Sequence, residues 1–154
     1  MARKEADAQQ AGDISPELDD LSSSLMGDAF DMLAAGEDLN VLLVVEDEKG
    51  NVAPYEFSDD GPEALLEGAR TRVRDLAARK GDPKAHLGVP VRYAIAYEGA
   101  VEDEDTVFRD AVLLEFGERG RASYSAYTFY EGNGTGDGYR WTEPAAAGEE
   151  TPLL

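Results

Sequence analysis

Val107-Phe108-Arg109-Asp110-Ala111-Val112-Leu113-Leu114-Glu115-Phe116-Gly117-Glu118-Arg119-Gly120-Arg121-Ala122-Ser123-Tyr124-Ser125-Ala126-Tyr127-Thr128-Phe129-Tyr130 reads as two strands folded onto each other. Gly117-Glu118-Arg119-Gly120 suits a type I turn whose last glycine takes the left-handed conformation of a bulge, because Glu-Arg is poor chemistry for a two-residue primed turn. That turn pairs Phe116 with Ala122, Leu114 with Tyr124, Val112 with Ala126 and Asp110 with Thr128. Glu115 with Ser123, Leu113 with Ser125 and Ala111 with Tyr127 fall on the opposite face. One face is then apolar and the other wetter, as an antiparallel sheet requires.

Working upstream, residues 89–98 form a third strand, with Val91, Tyr93, Ile95 and Tyr97 on one face and Arg92, Ala94 and Ala96 on the other, where small side chains let a helix approach closely. Residues 39–46 contain the run Val41-Leu42-Leu43-Val44-Val45, which suits a central strand covered on both faces. Residues 52–58 return from it, and Pro54, which cannot donate to a ladder, places that strand at an edge or bulge. Two helices precede these hairpins. Ser15-Pro16 starts the first, with Leu18, Leu21, Leu25, Ala29 and Met32 at helical spacing before Gly36. Asp60-Gly61-Pro62-Glu63 starts the second, whose stripe of Leu65, Ala69, Val73 and Leu76 ends at Lys80-Gly81.

The expected fold is therefore an α+β domain in the order α-β-β-α-β-β-β, an antiparallel sheet of about five strands with two helices packed on one face. Residues 1–13 read as a disordered tail, 14–131 as the domain, and 132–154 as a Gly-rich loop and an acidic, Ala/Pro tail in which Tyr139 and Trp141 pin the segment onto the body.

Composition sets further bounds. With 154 residues, 42% of them hydrophobic, one domain with a real core is the default. The absence of cysteine removes disulfides, thiolate metal sites and cysteine nucleophiles. No apolar run is long enough to cross a bilayer and the N-terminal residues lack a signal-type apolar stretch, so the reading is cytoplasmic, with no membrane partner. Thirty-three acids against 14 basic residues give a net charge of −19 and a pI near 4.2, which repels phosphate backbones and argues against nucleic acid. Colloidal solubility accounts for such charge, and so does an acidic surface built for a basic partner.

No motif carries chemistry. His86, the only histidine, lies in a connecting loop without a nucleophile motif, so no catalytic residue is assigned. Gly132-Asn133-Gly134-Thr135-Gly136-Asp137-Gly138 lacks the Lys-Ser/Thr of a phosphate loop and the stacked copies of a calcium repeat. Glu102-Asp103-Glu104-Asp105 reads as a solvated hairpin tip rather than a calcium site, and neither a metal nor a cofactor is expected. Asp110 shares the apolar face with Phe108, Val112 and Leu114, so it needs a partner. Arg92 across a symmetric hairpin, and Thr128 opposite it, would form an Asp110–Arg92–Thr128 cluster, more in keeping with a structural ion pair than with a ligand site. Tyr93 and Tyr97, with Tyr124, Tyr127 and Tyr130, could offer a platform to a cationic ligand or a partner.

Tyr93-Ala94-Ile95-Ala96-Tyr97-Glu98-Gly99, Asp110-Ala111-Val112-Leu113-Leu114-Glu115 and Gly117-Glu118-Arg119-Gly120 resemble segments of small bacterial proteins of unknown function. The resemblance spans about residues 93–121. It implies a bacterial cytosolic protein and transfers no activity. The functional expectation is a non-enzymatic protein-interaction or structural domain, with a homodimer through an edge strand or the wetter face as one partner reading. A small-molecule-binding or hydrolytic domain with a pocket lined by Tyr93, Tyr97 and Asp110 is the alternative, and an immunity-type inhibitor of a basic protein is the third.

Overall fold

A computed structural model of the chain describes residues 14–58 and 61–154; the expected tail 1–13 and the capping Asp60 lie outside the described residues. Helix α1 (Pro16–Ala34) starts where Ser15 takes an extended conformation and its hydroxyl accepts the Leu18 N–H at 3.1 Å. It stops at Gly36, which at φ +78° lets Glu37 N–H reach back to the Met32 carbonyl at 2.9 Å. Helix α2 (Pro62–Arg79) has Gly61 as its N-cap, ends with Lys80 in the left-handed region, and buries Leu65, Ala69, Val73 and Leu76. Both helices keep their expected spans to within a residue or two.

Among the described residues seven strands, β1 (Val41–Asp47), β2 (Val52–Phe57), β3 (Pro90–Glu102), β4 (Phe108–Glu118), β5 (Ser123–Glu131), β6 (Arg140–Trp141) and β7 (Ala145–Glu150), form one antiparallel sheet in the order β2-β1-β3-β4-β5. The outer edge of β5 pairs with β7 along Ser123–Tyr127 and with β6 at Tyr130 and Glu131. The chain is thus α+β, but its sheet has two more strands than the sequence suggests. Both extra strands come from the Gly-rich and Ala/Pro segments expected to be loop and tail. Tyr139 and Trp141 do pin this segment: Tyr139 is buried, and Trp141 stacks on Phe30 of α1 with ring centroids 5.1 Å apart. Pro54 indeed lies on an edge strand, β2.

The helices lie on opposite faces of the sheet, not on one. Cross-strand pairing puts Val44, Ala94, Phe116 and Tyr124 in one row and Leu42, Ala96, Leu114 and Ala126 in the next, and these pack with Leu25, Ala29 and Leu33 of α1. The intervening residues Val41, Leu43 and Val45 of β1, with Tyr93 and Ile95 of β3, pack with Leu65, Ala69 and Val73 of α2. The physical reason is visible in β1 and β3, which are apolar on both faces: a single helical layer would leave one face wet. Ala94 and Ala96, both fully buried, provide the close approach expected of small side chains, and α1 uses it. Because α2 covers β1, β2 and β3 while α1 covers β3 and β4, the β4–β5–β7 part of the α2 side has no helix over it.

The β4–β5 hairpin keeps its expected faces but slips by two residues. Phe116 pairs with Tyr124, Leu114 with Ala126 and Val112 with Thr128. Arg119 N–H donates to the Val91 carbonyl at 2.8 Å, so β3 holds β4 extended past Gly117 and the turn closes later, from Glu118 to Arg121. Gly120 still takes the left-handed conformation, at φ +82°. The tip of the β3–β4 hairpin also lies further along than expected, at residues 103–107, where the Asp103 carboxylate accepts the Asp105 and Val107 amides.

Candidate functional site

The two register changes dismantle the expected Asp110–Arg92–Thr128 cluster. Asp110 pairs with Ala100 and is exposed, because α1 does not extend over that end of the sheet. Arg92 is eight residues from Ala100 along β3, roughly 26 Å at strand rise. It bonds instead to Glu46 Oε1 and Glu118 Oε1, both at 2.6 Å, where the Ser15 hydroxyl also donates to Glu118. The cluster ties β1, β3 and β4 to the start of α1; burial would lower the Arg92 pKa, but its two carboxylate partners raise it overall. Thr128 lies opposite Val112 with its hydroxyl buried and unpartnered among the described residues.

The tyrosine platform is also divided. Tyr124 and Tyr130 face α1, whereas Tyr93, Tyr97 and Tyr127 face the α2 side. Tyr93 is fully buried and crosses over Gly117, where any Cβ would collide with its ring and with Ser123. Burial, then the neighbouring Glu115 carboxylate, pushes the Tyr97 hydroxyl's pKa up; Tyr97 donates to Glu115 Oε2 at 3.1 Å. Glu115, 4% exposed, also receives both prongs of Arg70 from α2, Nε at 3.0 Å and Nη2 at 2.6 Å. This bidentate pair locks α2 to β4 and was not expected, because Glu115 lies on the wetter face of its strand and Arg70 on a helix 45 residues earlier. The expected pocket of Tyr93, Tyr97 and Asp110 does not form: Asp110 is on the other face, and Tyr97 alone of the three lines a smaller cavity of about 290 Å³ beside Leu65.

Beyond the cover of α2, the same side of the sheet opens into a cleft of about 680 Å³. Its floor is Tyr127 and Phe129 of β5, in edge contact at 5.3 Å, and Arg109 of β4. One wall is the acidic hairpin tip, Glu102 to Asp105; the other is the chain entering β7, Thr142, Glu143 and Ala145. Thr142 is held by a reciprocal pair: its N–H donates to the Phe129 carbonyl at 2.9 Å and its hydroxyl accepts the Phe129 N–H at 3.1 Å. The Arg109 guanidinium lies 4.6 Å from the centre of the Phe129 ring. Glu102, Glu104, Asp105 and Glu143 are exposed around it, so the cleft combines two aromatic faces with a negative rim. The sequence showed the acids as a solvated tip, and so they are; it gave no sign of the aromatic floor beside them, which depends on the β4–β5 register and on β7.

Among the described residues no group of three acidic or histidine side chains is placed to hold a metal ion, and no helix is long and apolar enough to cross a membrane. Comparison with protein-family models, with curated proteins and with solved structures gave no match.

Proposed function

We propose that the chain is a non-enzymatic protein-interaction domain that holds a basic segment of a partner protein in the cleft between the β3–β4 tip and the start of β7. One observation carries this reading: a cleft of about 680 Å³ is floored by Tyr127 and Phe129 and rimmed by Glu102, Glu104, Asp105 and Glu143. Aromatic faces attract cations through their quadrupoles, and the acid rim adds attraction that speeds and selects encounter. A net charge of −19 opposes a second copy of this chain at the same surface and favours a cationic partner.

A Gly-Arg repeat peptide titrated calorimetrically tests this. Binding is expected to weaken with added salt and to fall about tenfold when Glu102→Gln, Glu104→Gln and Asp105→Asn are combined, taking about 0.5 kcal/mol for each exposed pair. Neutralising Asp19, Asp20 and Asp28 on α1 changes net charge equally and should leave affinity within twofold. Equal loss in both triple variants would reduce the effect to bulk charge and refute the site.

A further inference from the structure

Arg109 is exposed and lines the cleft together with its acids, yet among the described residues its one side-chain contact is with an aromatic ring and not with a carboxylate. Its guanidinium rests on the Phe129 ring instead, 4.6 Å from the centroid. The fold puts it there. Arg109 pairs with Val101 on β3, and Ala111, two residues on, pairs with Phe129, so the arginine reaches the ring diagonally across β4 and β5. Among the described residues a second arginine lies on aromatic rings, Arg72 over Tyr55 and Phe57, but it joins α2 to β2 and does not line the cleft.

We infer that Phe129 is a guanidinium seat, that Arg109 fills it in the free protein, and that an arginine of the partner displaces Arg109 on binding. This rests on the basic-partner reading of the same cleft and narrows the partner to one presenting arginine. A guanidinium is planar and weakly hydrated, so it stacks on a phenyl face at little desolvation cost, whereas an ammonium is compact and strongly hydrated. Arg109 is free to swing into solvent, since its described contacts include no carboxylate to break. Its occupancy lowers the partner's apparent affinity by the fraction of time the seat is open. A stacking contact at an exposed site corresponds to roughly a threefold to fivefold effect.

The experiment compares a Gly-Arg repeat peptide with its Gly-Lys counterpart by calorimetry at low salt, on the full chain and on three variants. The wild type should prefer the arginine peptide. Arg109→Lys keeps the charge but loosens the stack, and should tighten arginine-peptide binding roughly threefold. Phe129→Leu should abolish both the arginine preference and the gain from Arg109→Lys when the two are combined. A charge effect alone would leave Arg109→Lys equal to wild type. If the wild type binds the arginine peptide and Arg109→Lys binds it no better, the displacement idea is overturned while the basic-partner reading stands. If neither the wild type nor Arg109→Lys binds either peptide, both fail.

Discussion

Asp47→Asn should be the most destabilising isosteric change in the turn region, and the cost should depend on pH. Asp47 is 1% exposed at the end of β1. Its Oδ1 accepts the Lys49 and Asn51 amides, each at 2.9 Å; its Oδ2 accepts the Asn51 side-chain amide at 3.0 Å and the Gly88 amide at 2.7 Å. One carboxylate therefore builds the β1–β2 turn and ties it to the loop before β3. Burial alone would raise its pKa, but these four donors outweigh that and hold the carboxyl at about 2, against an ordinary 3.8. A drop of that size corresponds to about 2 kcal/mol. A carboxyl held below its unfolded value binds fewer protons when folded, so this stability is present at neutral pH and is lost as pH falls from about 4 toward 2. In Asp47→Asn the oxygen keeps two bonds, but the new NH₂ group faces two donors, and we expect a loss of about 3 kcal/mol at pH 7. Urea unfolding at pH 7, 5, 4 and 3 should show the gap between wild type and variant narrowing over the acid range. A gap under about 0.5 kcal/mol at pH 7, or one that does not change down to pH 3, would refute the reasoning.

Arg70→Ala leaves Glu115 buried without its bidentate partner and should cost about 2–3 kcal/mol by chemical denaturation, whereas the double change Arg70→Met, Glu115→Leu should recover most of it. Thr128→Val removes a buried, unpartnered hydroxyl at nearly constant volume and should be neutral or raise Tm, by up to about 1 kcal/mol of stability; clear destabilisation would mean that the hydroxyl has a partner in solution. Ser15→Ala removes both the α1 cap and a bond to Glu118, and a loss of about 1–2 kcal/mol in thermal melts is expected.

Period-two alternation made the phase of β3, β4 and β5 legible, and caps made both helices legible, because those signals are local. What failed was non-local. A two-residue slip preserves every face, so the apolar pattern of residues 110–130 is equally satisfied by Asp110 opposite Thr128 and by the observed Val112 opposite Thr128. The choice falls to β3, which holds β4 straight through Arg119. The apolar run of β1 announced cover on both faces, and that requirement, followed through, would have placed the helices on opposite sides. Ala145–Glu150 has too little β propensity to be read as a strand; it is held by the open edge of β5, with Leu153 buried beyond it in the α2-side core. Asp47 falls between the expected strands 39–46 and 52–58, and nothing in the neighbouring sequence reveals that Gly88, 41 residues on, closes over it. The cleft was illegible for the same reason, since its floor comes from β4 and β5 and its walls from two loops.

The most direct test of the proposed function is a backbone amide NMR titration of the full chain with a Gly-Arg repeat peptide at low salt. The account predicts saturable shifts concentrated at Glu104, Arg109, Tyr127, Phe129 and Glu143, with the distant Arg92–Glu118 cluster unmoved. Shifts spread evenly over the acidic surface, or centred on the outer face of α1, would contradict it.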